Sequence, residues 1–198
     1  MKPISEACER NKDVILQKLK QIWGTEKTRR VLEIGSGTGQ HAVHFGAHLQ
    51  NLEWVTTDLP DKHPGIKMWL DEANIDNVKG PFAIDLNRAS DAEFGDVQSV
   101  YSANVVHIVP WRLCLQLFKL VAQVLPNDGD LILYGPFCYQ GNFTSESNER
   151  FDQSLRQSNP ESGIRNFEDI QSELEKLGLR LEQDIEMPAN NRLLHFKK

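Results

Sequence analysis

Three glycines at alternate positions, Gly35, Gly37 and Gly39, follow the short apolar run 31–34. Such a run is typical of a strand that is covered on both faces of a parallel sheet, and the residues after the glycines predict a helix over 40–49. Glycines let a ligand approach the backbone closely, and the first N–H groups of a helix attract polar or anionic groups. A nucleotide-like ligand is therefore predicted at this turn. A glycine-rich turn without a ligand is the alternative.

The spacing within this glycine loop, residues 35–39, discriminates between nucleotides. A dinucleotide-binding turn has a third small residue where this chain has Gln40. The pattern G-x-G-x-G with Glu33 two residues before it resembles motif I of the class I S-adenosylmethionine (SAM) methyltransferases. The resemblance implies that Glu33 lies near the amino group of SAM. The residues that it places along the methionyl part of SAM are Gly35, Ser36, Gly37 and Gly39.

Two acids end the next two predicted strands. Asp58 ends the second strand, where a carboxylate can accept two hydrogen bonds from a ribose diol; a helix N-cap or a solvated loop acid is the alternative. Asp85 ends the third strand and resembles the acid that these methyltransferases place beside the adenine amino group. Leu86 could cover one face of the base. The alternative for Asp85 is a surface acid before a loop.

Asn104 and His107 follow the fourth predicted strand. In open α/β sheets ligands bind beyond the carboxyl ends of the strands, so both residues are candidates for the catalytic site. The Asn104 amide could bind SAM or the methyl acceptor. His107 could take a proton from a hydroxyl or an amine, and the alternative is a buried histidine bonded to a backbone carbonyl.

Strands alternate with helices along the whole chain, which indicates a doubly wound α/β fold. We predict a Rossmann-like sheet of seven strands, mostly parallel, with a C-terminal antiparallel β-hairpin. Ending on a hairpin resembles the antiparallel edge of the methyltransferase sheet. The predicted strands are 30–35, 52–58, 82–85, 97–103, 131–134, 181–187 and 192–196, and the predicted helices are 5–22, 40–49, 66–73, 112–125 and 167–177.

The segment 138–165 breaks this alternation. It is polar and long for a connection within a compact domain, and such loops are usually lids, binding segments or hidden helices. We predict that it forms the acceptor site and part of its lid together with the N-terminal helix (1–24), and that 146–157 is helical. The whole chain, 1–198, is predicted to be one domain.

Composition narrows the classes of partner. A net charge of −6 argues against a basic nucleic-acid-binding face, so a small-molecule acceptor is expected and nucleic acid is not. The three cysteines are far apart and form no C-x-x-C pair, so neither a disulfide framework nor a metal site is predicted. We recognise no signal peptide and no membrane-spanning run, and we expect a cytoplasmic protein without a membrane partner. The sequence leaves its oligomeric state open.

Several unusual motifs spread over residues 5–191 resemble the domain-of-unknown-function 938 family, whose animal members are called methyltransferase-like protein 26. The resemblance implies a class I SAM-binding fold and leaves the acceptor open. The matching stretches are Ser5-x-Ala7-x-Glu9-Arg10-Asn11-Lys12, Leu32-Glu33-Ile34-Gly35-Ser36-Gly37-Thr38-Gly39-Gln40-His41, Asn104-Val105-Val106-His107-Ile108-Val109-Pro110-Trp111, Tyr134-Gly135-Pro136-Phe137, Ser147-Asn148-x-x-Phe151-Asp152-x-Ser154-Leu155-Arg156, Gly163-Ile164-Arg165 and Met187-Pro188-Ala189-Asn190-Asn191.

Some residues of these motifs are candidates for contact with the acceptor. Arg10 or Arg165 could grip a carboxylate with two hydrogen bonds, and each has a structural alternative, a salt bridge for Arg10 and a cap of the long loop for Arg165. Asn190 and Asn191 could instead form only a hairpin turn. The candidates for acceptor contact are Arg10, Asn11, Tyr134, Arg165, Asn190 and Asn191.

Two functions therefore stay open. The first is a SAM-dependent methyltransferase that acts on a small polar molecule at O, N or S. The second is a SAM-binding module that has lost catalysis and acts as a sensor or partner subunit. An NAD-dependent reductase is disfavoured by Gln40 and by the absence of a Tyr-x-x-x-Lys pair.

Overall fold

The computed structural model describes residues 2–88 and 94–198. Strands and helices alternate through both ranges. The chain divides into two compact units, Met1–Tyr101 and Ser102–Lys198. The helices are α1 (Glu6–Trp23), α2 (Gln40–His48), α3 (His63–Ala73), α4 (Trp111–Val124), α5 (Glu146–Ser158) and α6 (Phe167–Lys176). The strands are β1 (Arg29–Ile34), β2 (Leu52–Asp58), β3 (Val78–Ala83), β4 (Ser99–Ala103), β5 (Asp130–Gly135), β6 (Phe137–Tyr139), β7 (Asn142–Phe143), β8 (Arg165–Asn166), β9 (Arg180–Met187) and β10 (Asn191–Lys197).

The first unit is built around β1, which pairs in parallel with β2 on one side and with β4 on the other. The inner residues of these strands are buried because helices cover them, as the apolar run of β1 predicts. An aromatic cluster of Phe45, Trp54 and Tyr101 fills the core, with ring centroids 5.2–5.7 Å apart. Helix α1 begins at the N-cap Ser5, whose hydroxyl accepts a hydrogen bond from the Cys8 N–H.

The second unit contains the C-terminal hairpin. Strand β5 is buried along its whole length and pairs antiparallel with β10, which in turn pairs antiparallel with β9. The turn between β9 and β10 holds Ala189 and Asn190 at φ +58° and +56°, a left-handed conformation that asparagine tolerates better than most residues.

Among the described residues the main sheet has seven strands, in the order β3-β2-β1-β4-β5-β10-β9. The predicted Rossmann-like, mostly parallel sheet with an antiparallel C-terminal hairpin is confirmed. Most predicted boundaries differ from the observed ones by one or two residues. Helix α3 starts earlier, at His63, because Pro64 fits the first turn of a helix.

The third predicted strand, 82–85, is wrong in position. The observed strand β3 is Val78–Ala83, and Asp85 lies beyond its end. The pair Gly80-Pro81 suggests a strand break in the sequence, but β3 stands at the end of the strand order, where a proline removes no hydrogen bond that a neighbour needs.

The segment 138–165 is more regular than predicted. It contains the helix α5, close to the predicted 146–157, and β7 and most of β6. These strands join β8 in a separate three-stranded sheet of order β7-β6-β8. Short strands of two or three residues carry no periodic pattern, so the sequence does not reveal them.

Candidate functional site

The glycine loop is fastened to the end of β2. The N–H groups of Gly35 and Ser36 both donate to the Thr57 carbonyl, at 3.1 and 2.9 Å, and the Ser36 hydroxyl accepts from the Thr57 N–H at 3.1 Å. Gly37 and Gly39 have φ +59° and +88°, which glycine adopts without strain. Around the position that a Cβ of Gly37 would take, no described atom lies within 4 Å, so this face of the loop is open to a ligand.

Asp58 lies against this loop. One carboxylate oxygen accepts from the Gly37 N–H and the other from the Leu59 N–H, both at 2.7 Å. Burial raises the pKa of Asp58, while these two hydrogen bonds and the nearby Lys62 oppose the increase. The structure therefore brings together the loop and the acid predicted for the ribose.

Glu33 is buried at the end of β1, with 2% of its surface exposed. Its Oε2 accepts from the Trp54 indole N–H at 3.0 Å. Burial raises the pKa of Glu33 to about 7, because the protein interior disfavours the charged form, and the charge of Asp58 adds to this increase. Near neutral pH this carboxyl is poised between its two protonation states.

Asp85 lies in a tight turn after β3. It accepts hydrogen bonds from the Asn87 N–H and the Asn87 side-chain amide, at 2.9 and 3.0 Å, and these bonds lower the pKa of Asp85. Arg88 lies 3.6 Å away as an ion-pair partner. Asp85 and Leu86 are both half-buried. This local geometry matches a loop acid, and it leaves the carboxylate accessible to a ligand.

Gln40 connects the loop to α1, a role that its sequence context did not suggest. Its Oε1 accepts from the Ser5 N–H at 2.5 Å and from the Thr38 hydroxyl at 2.9 Å. Its amide nitrogen donates to Glu9 at 2.5 Å. The sequence treats Gln40 only as a departure from the dinucleotide pattern, and no signal in the sequence points to its partners in the first turns of α1.

The two acceptor candidates on α1, Asn11 and Arg10, lie in different surroundings. Asn11 is buried, and its Oδ1 bonds to the His41 Nε2 at 2.7 Å. Burial lowers the pKa of His41 to about 3, so its ring is neutral at pH 7. Arg10 is exposed and lies 3.4 Å from Glu6, the salt bridge that is the alternative to acceptor binding.

In the second unit, His107 lies in the loop of residues 104–109 that follows β4. Its ring is 2% exposed and stands edge-on to Phe151 at 5.4 Å between centroids. Its Nδ1 has no hydrogen-bond partner within residues 2–88 and 94–198. Burial lowers the pKa of His107 to about 4, and the Arg165 charge adds to this decrease. The ring is therefore neutral at pH 7 and keeps a lone pair free to accept a proton.

Asn104 and Gly135 stand beside this ring. Asn104 has φ +59°, and its N–H donates to the Tyr134 carbonyl at 2.8 Å. A Cβ at Gly135 would lie 3.4 Å from the His107 Nδ1 and 3.5 Å from the Asn104 Oδ1. Both predicted catalytic side chains thus face the same glycine. The Tyr134 side chain is buried in the core.

Arg165 bonds to backbone rather than to an open surface. Its guanidinium donates to the carbonyls of Val106, Val109 and Glu161, at 2.9, 2.6 and 2.8 Å. Of the two interpretations that the sequence allows for Arg165, this geometry corresponds to the cap of the long loop.

Asn190 and Asn191 form the turn of the C-terminal hairpin. The Asn190 carbonyl accepts from the Asn148 amide at 3.0 Å, and the Asn191 amide donates to the Pro188 carbonyl at 3.1 Å. These bonds tie the turn to α5 and to itself. The side chain of Asn190 also reaches the Ser147 hydroxyl at 3.4 Å.

Within residues 2–88 and 94–198, no three His, Cys, Asp or Glu side chains are grouped so as to hold a metal ion. No helix in the same residues is long and apolar enough to cross a membrane.

Solved structures define the class of fold. An O-methyltransferase family protein from Burkholderia thailandensis aligns with 98% of this chain at a TM-score of 0.84 and 15% identity. A protein described as a putative O-methyltransferase from Nostoc punctiforme aligns with 96% at 0.82 and 16%. An O-methyltransferase family 2 protein from Planctomyces limnophilus, in complex with apigenin, aligns with 97% at 0.78 and 14%. The chain spans only 56–60% of the length of these proteins. It therefore has a methyltransferase-like fold.

The family itself is identified by sequence. Residues 2–198 match the family described as protein of unknown function (DUF938), and the chain belongs to that family. The predicted resemblance to this family is confirmed.

Proposed function

We propose that this chain is a SAM-dependent methyltransferase that acts on a small polar molecule at O, N or S. The observation that carries the proposal is the open glycine loop with the Asp58 carboxylate held against it at 2.7 Å. One structure of the same fold is described as an S-adenosylmethionine-dependent methyltransferase, and another is described with S-adenosylhomocysteine (SAH). The net charge of −6 favours a small acceptor over nucleic acid.

Within the first unit, each candidate has a role that suits its chemistry. The open face of Gly37, together with Gly35, Ser36 and Gly39, would follow the methionyl chain. Asp58 would accept hydrogen bonds from the ribose diol, and Glu33 would lie near the amino group. Asp85 and Leu86 would contact the adenine. The N-terminus of α2 directly follows the loop and supplies a positive dipole end.

Within the second unit, His107 is the proposed base. Asn104 is the residue whose amide would bind SAM or the acceptor. When bound, SAM would supply a methyl group to the acceptor atom and keep the electron pair of the carbon–sulphur bond on its sulphur. The acceptor's proton would pass to the neutral His107 ring, whose Nδ1 lies beside Gly135 and has no hydrogen-bond partner within the described residues. Alignment of two reactants can contribute about 7–11 kcal/mol to such a step.

The acceptor candidates differ in how far each side chain is already hydrogen-bonded or buried within the protein. Arg10 and Asn190 have exposed polar groups and would contact the acceptor directly. Asn11, Tyr134 and Arg165 are bonded or buried within the protein, and they would contribute by holding other groups in place. Asn191 would shape the hairpin turn beside Asn190.

A second candidate, a SAM-binding module without catalysis, is favoured by one observation. His107 is 2% exposed, and a base must reach its acceptor. A sensor or partner subunit would keep the glycine loop and use this buried histidine only for stability.

A binding and turnover experiment discriminates between these functions. We expect calorimetry to detect binding of SAM and SAH and no binding of NAD. Incubation with SAM and panels of small hydroxyl, amine and thiol compounds should then release SAH for one class of acceptor. Binding without release from any panel would support the inactive module, and absence of SAM and SAH binding would contradict both.

A further inference from the structure

Four consecutive carbonyls of the His107 loop are held by one short segment, residues 162–165. Arg165 donates to the carbonyls of Val106 and Val109 at 2.9 and 2.6 Å. The Gly163 N–H donates to the His107 carbonyl at 2.9 Å, and the Ser162 hydroxyl donates to the Ile108 carbonyl at 2.6 Å. Every peptide unit from 106 to 109 is thus fixed on its carbonyl side by residues more than 50 positions away along the chain.

The holding segment is itself anchored on α5. The buried Asp152 accepts from the Ile164 N–H at 2.7 Å and from the Arg156 guanidinium at 2.7 Å. Gly163 allows this close approach, because a Cβ there would lie only 2.8 Å from the Asp152 Oδ1. The segment is therefore bonded to α5 as well as to the His107 loop.

Such external support is needed because the ring of His107 is held in an unfavourable state. A buried nitrogen without a hydrogen-bond partner costs free energy, and within the described residues the His107 Nδ1 has none. A loop that was free to move could remove this cost by turning the ring toward water. The internal bonds of the loop, from the N–H groups of Ile108 and Val109 to the Val105 carbonyl, fix one turn but leave the carbonyls of 106–109 to be bonded from elsewhere.

We infer that residues 162–165 form a clamp that positions His107, with Ser162 and Arg165 as the positioning residues. The inference rests on the proposed role of His107 as the base. It assigns to Arg165 a function through the loop rather than through contact with the acceptor. The orientation of the His107 ring, and with it the direction from which an acceptor's proton can be taken, then depends on the segment between α5 and β8.

The test follows the ring of His107 by NMR. We expect Ser162→Ala and Arg165→Lys to raise the pKa of His107 from about 4 toward the ordinary 6.5, because a released loop lets water reach the ring. Arg165→Lys keeps the positive charge, so loss of that charge does not explain an increase. The signal of His107 is assigned with His107→Gln among the six histidines of the chain.

Ser158→Ala is the matched control. The Ser158 hydroxyl donates to the Ser154 carbonyl at 3.1 Å on the exposed side of α5, so this change removes one serine-to-carbonyl bond that does not contact the His107 loop. An increase of the His107 pKa in both clamp variants, with wild-type titration in Ser158→Ala, supports the clamp. A His107 pKa that stays near 4 in folded Ser162→Ala overturns it, even if Arg165→Lys does not fold.

This measurement is independent of turnover. If His107→Gln leaves methyl transfer unchanged, the proposed role of His107 fails while the titration still reports whether the clamp holds the ring. If the clamp variants leave the His107 pKa unchanged but His107→Gln abolishes turnover, the proposed role of His107 as the base is supported and the clamp is contradicted.

Discussion

The glycine loop and the His107 loop both follow a buried strand, but they are held in different ways. The glycine loop is bonded to Thr57 and Asp58 at the end of the next strand, within 25 residues of chain. The His107 loop is held at four carbonyls by residues 162–165. A loop supported locally can be recognised from a short motif, whereas a loop supported from far along the chain cannot.

The largest effect is expected from Gly37→Val in the locally supported loop. A valine there would have φ near +59°, which costs about 1–3 kcal/mol of strain, and its side chain would occupy the open face where the methionyl chain is proposed to lie. We expect the variant to lose binding of SAM and SAH in calorimetry.

Gly141→Val is a matched control for this change. Gly141 also has a positive φ, +76°, and no described atom lies within 4 Å of its Cβ position. It should lose stability and keep SAH affinity. Equal SAH affinity in wild type and Gly37→Val would contradict the proposed position of the cofactor.

His107→Ala tests the remotely supported loop. If His107 is the base, turnover should fall by about 10²–10⁴-fold while SAH affinity stays near wild type. Steady-state kinetics with an acceptor found by screening, normalised to the folded fraction, measures this. A lower melting temperature with normal turnover per folded molecule would instead indicate a structural histidine.

Glu33→Gln tests how the buried carboxyl beside the glycine loop affects the free energy of unfolding. The pKa of Glu33 is about 7 in the folded protein and lies near 4.5 in an unfolded chain. Between these values the folded state binds a proton that the unfolded state has released, so stability falls as pH rises. Removing this ionisation should make the variant about 3 kcal/mol more stable than wild type at pH 8.

Urea unfolding at pH 4.5 and pH 8, without ligand, measures the difference. The hydrogen bond from Trp54 can be kept because the glutamine carbonyl also accepts. A variant whose stability depends on pH as steeply as that of wild type would show that Glu33 does not titrate in this range.

Asp58→Ala should have the smallest of these effects. Loss of charged hydrogen bonds to the ribose should weaken SAM by about 1–3 kcal/mol and leave the fold intact. Isothermal titration gives the affinity, and Asp61→Ala is the control, since Asp61 pairs with Lys62 at 3.2 Å on the surface. If Asp61→Ala weakened SAM and Asp58→Ala did not, the ribose contact would have to be moved to Asp61.

The same contrast explains how far the sequence predicts this structure. The order of strands and helices follows from hydrophobic periodicity, and the hairpin from its turn residues, because both signals are local. The predicted position of β3 is wrong because the effect of Pro81 depends on whether the strand lies at an edge of the sheet. Only the order of the strands in the sheet decides that.

At the candidate site, the proximity of Gly37 and Asp58 follows from adjacent parallel strands. The sequence also allows Arg165 to be a cap, but nothing in it names the carbonyls of Val106 and Val109 as its partners. A hydrogen bond from a side chain to a distant backbone group is independent of the identity of the residue that accepts it. For that reason the hydrogen bonds from residues 162–165 impose no sequence pattern on residues 106–109.

Gln40 also bears on how this protein can diverge during evolution. A dinucleotide-binding turn needs a small residue at this position, and here the side chain joins Ser5, Thr38 and Glu9. A single substitution to glycine or alanine would leave these partly buried groups without their bonds. A lineage that starts from this chain would therefore need coordinated changes in the first turns of α1 before this turn could take the dinucleotide-binding form.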